Sequence, residues 1–208
     1  MNKAETTNPA RVTAVIGSYR KGGIIDQAVD EVLLSAREEG AATAKIYLID
    51  KDIEFCTNCR ACTQHRGAER GKCPLTDDMT DILDEIERSD ALILASPMNF
   101  GTVTAVMKRF IERLLCYACW PWGTNAPEIR TRQKKRRAVI VCSAAAPVLW
   151  ARLSSRMVSL LKSASNLLGA RVVGVLFIGL AAREEKQRLG RRERARRLGK
   201  KVTTGRQR

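Results

Sequence analysis

The sequence holds one histidine, His65, and no convincing triad or carboxylate pair, so acid-base or nucleophilic catalysis has no visible machinery. No stretch approaches the roughly 18 consecutive apolar residues of a membrane span. The opening residues, MNKAETTNPARVTAVIG, lack the basic segment and long apolar run of a secretory signal. A cytoplasmic protein without a transmembrane segment is expected. In that setting seven cysteines read as thiols or metal ligands rather than structural disulfides. Aromatic residues are scarce at 5%, and none follows residue 182.

What is present is ordinary for a globular chain: 45% hydrophobic, 28% charged, and a length that favours one full-sized domain. The net charge of +15 is local. Residues 183–208 and 130–137 carry 18 of the 37 basic and 3 of the 22 acidic residues, leaving the remainder balanced at 19 against 19. The chain therefore divides into residues 1–182, a folded domain, and 183–208, a basic C-terminal helix or tail.

Hydrophobic periodicity predicts alternating strands and helices. Residues 12–16 are β-prone and end in Gly17-Ser18-Tyr19-Arg20-Lys21-Gly22-Gly23. Ile25, Ala28, Val29, Val32, Leu33 and Ala36 then mark one face of a helix closed by Gly40. A second strand is expected at 44–49 and a helix after Thr76. A third strand at 91–95 runs into Ser96-Pro97-Met98-Asn99-Phe100-Gly101, followed by a helix through Val103, Met107, Phe110 and Leu114. Residues 116–136 read as a surface excursion. Beyond it come a strand at 137–142, one long helix at 149–168, a strand at 172–178, and helix until charge takes over.

This alternation implies an α/β fold: a five-stranded parallel sheet with helices on both faces, doubly wound in the flavodoxin-like order 2-1-3-4-5. Ligands of such sheets bind at the carboxyl ends of the strands, near the switch point between strands 1 and 3. Both unusual loops leave strands there. GSYRKGG combines small residues, the Ser18 hydroxyl, the cations Arg20 and Lys21, and a helix N-terminus, all of which favour phosphate. Pro97, Met98 and Phe100 offer apolar and aromatic surface for a flat ring, or pack beneath a neighbouring loop.

Taken together, GSYRKGG, TDDM and SPMNFGTVTAVMKRFIER resemble the flavodoxin-like NAD(P)H-dependent FMN reductases, in particular their iron-sulfur flavoprotein branch, over residues 11–180. The resemblance implies an FMN-dependent oxidoreductase in which hydride passes from NAD(P)H to FMN and on to a small-molecule or protein electron acceptor. Ser18, Arg20, Lys21, Gly22 and Gly23 would hold the phosphate. Pro97, Met98, Asn99, Phe100 and Gly101 would wrap the flavin ring, and Ser143 and Ala144 would complete the pocket. Family members often continue the first loop as G-G-N-T or G-G-N-S, whereas this chain has Gly23-Ile24-Ile25. Arg20 and backbone amides must then carry the phosphate, or the pocket is degenerate and the chain a non-catalytic subunit.

Four cysteines, Cys56, Cys59, Cys62 and Cys73, read C-x2-C-x2-C-x10-C-P. The first three have the spacing of a loop that wraps a [4Fe-4S] iron-sulfur cluster. Bare or redox-active thiols and a zinc site are the alternatives. Cys116 and Cys119 suggest burial or an oligomer contact, and Trp120 and Trp122 an interface or a lid. A homo-oligomer, dimer or tetramer, is expected. The basic tail raises a competing function, binding of nucleic acid or an acidic partner, but its lack of base-stacking aromatics argues against nucleic acid.

Overall fold

The computed structural model describes residues 9–180 and 188–204. β1 (Arg11–Ile16) buries five of its six residues, as a strand covered on both faces must. α1 (Ile24–Glu38) turns the predicted face inward, burying Ile25, Ala28, Val29, Val32, Leu33 and Ala36. β2 (Ala42–Tyr47) starts two residues earlier than expected because its ladder pairs Arg11 with Ala42, and Leu48 already belongs to a 3-10 turn. α2 (Met79–Glu87), β3 (Ala91–Pro97) and α3 (Ala105–Arg113) follow as the periodicity predicts.

The excursion after α3 contains a small antiparallel pair, β4 (Ala118–Cys119) and β5 (Glu128–Ile129). β6 (Arg136–Ser143) and β7 (Ala170–Ile178) complete the main sheet, whose order is β2-β1-β3-β6-β7 with every pairing parallel. This is the expected 2-1-3-4-5 arrangement. Alternate strand residues serve two cores. Leu92 and Leu94 of β3 pack with Met107, Phe110 and Leu161 on one face, while Ile93 and Ala95 pack with α1 on the other.

The long helix expected at 149–168 is instead two, α4 (Val148–Ser154) and α5 (Met157–Leu167), with an extended Ser155 between them. Apart from Ala151, the apolar residues of α4 do not join the core that α5 enters. Met157, Leu161 and Ala164 enter the core, whereas Leu149, Trp150 and Leu153 of α4 stay exposed. α6 (Arg188–Thr203) extends helix into the basic segment, where Ala195, Leu198 and Val202 join the core beside α1. The boundary expected at residues 182–183 lies outside the described residues. Among the described residues, no helix is long and apolar enough to cross a membrane.

Candidate functional site

The loops leaving the carboxyl ends of β1 and β3 are tied together by two buried hydroxyls. Thr104 Oγ1 donates to the Gly17 carbonyl at 2.5 Å and accepts the Met107 N–H at 3.3 Å, capping α3. Ser96 Oγ accepts the Thr104 N–H at 3.2 Å. A Cβ on Gly17 would lie 2.6 Å from the Met107 Cβ, so the first loop passes α3 this closely only because it begins with glycine. Sequence reasoning missed Ser96 and Thr104. The helix-start signal of a threonine just ahead of the Val106, Met107, Phe110 face could have revealed the second.

In the first loop, Ser18 Oγ accepts the Arg20 N–H at 3.2 Å, so this hydroxyl shapes the turn. Arg20 is exposed. Lys21 leans toward the loop after β2, pairing with Asp50 at 2.6 Å. The Gly22 N–H donates to the Asp26 carboxylate at 2.7 Å, and Asp26 also receives Lys45 Nζ at 2.6 Å and the Tyr47 hydroxyl at 2.9 Å. Burial alone would raise the Asp26 pKa. The bonds from Lys45, Gly22 and Tyr47 outweigh it and hold the carboxyl below its ordinary value. No side chain caps Gly23, so the first-turn N–H groups of α1 are available to an anion. Ile24 and Ile25 contribute to the core beneath the loop.

In the loop after β3, the Met98 N–H donates to the Ser143 carbonyl at 2.7 Å, joining this loop to the end of β6. Asn99 and Thr102 exchange backbone hydrogen bonds of 2.9 and 3.0 Å, which closes a turn around Phe100 (φ 47°) and Gly101 (φ 76°). The Phe100 ring stands fully exposed at its tip. Ser143 and Ala144 are buried, the latter donating its N–H to Ile178 at 2.8 Å. Uncovered apolar side chains gather on the segments that leave these strand ends, among them Tyr19, Phe55, Phe100, Leu149 and Trp150.

The cysteine segment is organised by arginines from elsewhere in the chain. Arg130 donates to the carbonyls of Cys116 (3.0 Å), His65 (2.7 Å) and Cys62 (2.9 Å). Arg113 forms a buried ion pair with Asp77 and also donates to the Glu54 carbonyl at 2.8 Å and the Cys73 thiol at 3.6 Å. Trp120 and Trp122 sit against the Arg60 guanidinium, their ring centres 3.8 and 4.2 Å away. With Arg109 facing Phe55, these contacts run along α3 and the turn after it.

This arrangement corrects the expectation of an iron-sulfur cluster. Cys62 feels the charges of Cys73, Cys56 and Cys59, and burial pushes its pKa up to about 11. Yet among the described residues no group of three or more His, Cys, Asp or Glu side chains is placed to hold a metal ion. The physical reason lies in the backbone clasp. Carbonyl and ion-pair contacts fix the loop while its thiols meet different surroundings: Cys59 is exposed, with its pKa lowered by the Ala61 N–H and Thr57, and Cys73 lies against Arg113.

The chain matches the NADPH-dependent FMN reductase family over residues 10–182. An iron-sulfur flavoprotein of Archaeoglobus fulgidus is 36% identical over 111 residues, 53% of this chain and 48% of that protein. One of Methanocaldococcus jannaschii is 38% identical over 103 residues, 50% of this chain and 51% of that protein. The chain thus spans about half the length of these curated relatives. Among solved structures, an FMN-dependent NADH-azoreductase from Bacillus anthracis in complex with FMN superposes with a TM-score of 0.70 at 11% identity, covering 95% of this chain and 100% of that one. An NAD(P)H:quinone oxidoreductase from Methanothermobacter marburgensis gives a TM-score of 0.61 at 19% identity, covering 94% and 96%. At such identities the likeness is one of fold.

Proposed function

The chain belongs to the NADPH-dependent FMN reductase family, and on that premise we propose that it binds FMN at the carboxyl ends of β1, β3 and β6 and passes electrons from NAD(P)H to a small-molecule or protein acceptor. The observation that carries this reading is the joining of a cationic loop to an apolar one through Thr104 and Gly17. An anion joined to a flat ring needs both surfaces at once. The residues present fit that requirement: Arg20 and the uncapped start of α1 suit a phosphate, and the exposed Phe100 with Pro97 and Met98 suits a ring.

FMN, when bound, would supply the hydride and single-electron chemistry, which is why the chain needs no acid-base pair of its own. Its residues would bind and position. Arg20 would neutralise phosphate charge, while Asp26, Lys45 and Tyr47 hold Gly22 and hence the shape of the loop. The Met98 bond to Ser143 ties the start of the apolar loop to the end of β6. Phe100 would shield the ring face from water.

Fluorescence titration of FMN into the purified chain tests the reading. Saturable quenching is expected, weakened about tenfold by Arg20→Ala, the effect of losing about 1.4 kcal/mol from a charge-assisted contact. Phe100→Ala should weaken it similarly through lost ring contact. No saturable quenching by the wild-type chain, or both variants binding like wild type, would sink the proposal.

A further inference from the structure

α6 sorts its cations onto two flanks. At about 100° per residue, Arg192, Arg196 and Lys200 fall on one flank, where they pair with Glu31 and Glu38 of α1 and with Glu39 at its end. Ala195, Leu198 and Val202 occupy the face against the sheet. Arg194, Arg197 and Lys201 fall on the other flank, turned away from α1, and all three are exposed. Their side chains make no ion pair or hydrogen bond among the described residues.

This flank continues onto the sheet. Arg137 donates to the Lys201 carbonyl at 2.8 Å and lies beside Arg171 in the β6–β7 ladder. Arg171 is exposed, whereas Arg132 and Lys135 of the basic run entering β6 line a cavity with Glu87, Tyr117 and Leu168 on the other side of the sheet. The other arginines of that basic run are already engaged. Arg130 clasps the cysteine loop, and Arg136 donates to the carbonyls of Glu87, Ser89 and Leu168. Four cations, Arg194, Arg197, Lys201 and Arg171, are therefore left for a partner on the side of the sheet that α6 covers, in a stripe that ends at the amino ends of β6 and β7, away from the proposed flavin site.

We propose that this face binds duplex nucleic acid through its phosphate backbone, without reading bases. Arg194 to Lys201 spans about 10 Å of helix, and one strand of a duplex presents a phosphate about every 3.4 Å along its axis, so the stripe faces about three phosphates. The absence of aromatics counts against single strands, whose bases need stacking platforms. It does not count against a duplex, whose bases are already stacked. A lipid surface fits less well, because the apolar residues of α6 face the sheet rather than solvent.

Anisotropy of a fluorescein-labelled duplex of about 20 base pairs, titrated with the full chain, provides the test. Four phosphate contacts predict a slope of log K against log salt of about −3.6, hence a loss of about a hundredfold between 50 and 200 mM salt. The triple variant Arg194→Gln, Arg197→Gln, Lys201→Gln should reduce the slope to about −1 and leave FMN quenching and helical circular dichroism unchanged. Three results would overturn the proposal: no saturable binding at 50 mM salt, a triple variant with wild-type affinity and slope, or tighter binding to phosphatidylserine vesicles than to duplex.

Discussion

Removal of Asp77 is expected to be among the most damaging single changes in the chain. The Asp77 and Arg113 side chains are only 1% and 2% exposed. Asp77 also accepts the N–H groups of Glu54 at 2.8 Å and Met79 at 3.0 Å, so one carboxylate fixes both ends of the cysteine segment. Asp77→Ala strands the Arg113 cation in the interior, which costs about 3–5 kcal/mol, a large share of the roughly 5–15 kcal/mol that holds a domain together. With a urea slope of about 2 kcal/mol per molar, the unfolding midpoint should fall by about 2 M. Asp77→Leu combined with Arg113→Met removes both charges and should recover most of that loss. The pH dependence follows from the Asp77 pKa. Burial would raise it, but the bonds from Arg113, Glu54 and Met79 prevail and lower it in the folded chain. Its stabilisation is thus complete above the unfolded value of about 3.9 and lost as pH falls through the lower folded value. A midpoint shift below about 0.5 M for Asp77→Ala, or a double variant less stable than the single one, would refute the reasoning.

Gly71→Ala should disrupt the same segment by steric means, since a Cβ there would lie 1.6 Å from the Cys62 carbonyl oxygen. A fall in melting temperature with faster proteolysis between residues 56 and 73 is the expected result. Alkylation by iodoacetamide at pH 7, followed by mass spectrometry, should label exposed Cys59 well before Cys62 and Cys116. Burial pushes the last two up to about 11 and about 12, so little thiolate is present. Thr104→Val keeps the shape of the residue but removes the bond to Gly17 and the cap on α3, and should cost about 1–2 kcal/mol in urea unfolding.

The parts of the site legible in sequence were those set by neighbours along the chain. GSYRKGG and SPMNFG announced themselves by glycine, proline and helical periodicity, and both stand at the strand ends expected of them. Less legible were the ties between loops. Thr104 reaches Gly17 across 87 positions, and Lys45 reaches Asp26 from a neighbouring strand. Lys21 looked like a phosphate ligand by position, yet it pairs with Asp50.

The strand and helix pattern, apart from the break at Ser155, the sheet order and the placement of two unusual loops at one edge were determined by the sequence itself. Each rests on period, turn chemistry and the pairing rules of parallel strands, all short-range or general. The fate of the cysteines was decided only in three dimensions. C-x2-C-x2-C-x10-C-P constrains spacing along the chain, while the surroundings of the thiols depend on Arg113, 40 positions from the Cys73 thiol it meets, and on Arg130, 68 positions from the Cys62 carbonyl it bonds. The basic residues were settled in the same way. Their number was plain from composition, but the packing of α6 on α1 determined which were neutralised by Glu31, Glu38 and Glu39 and which were left facing outward.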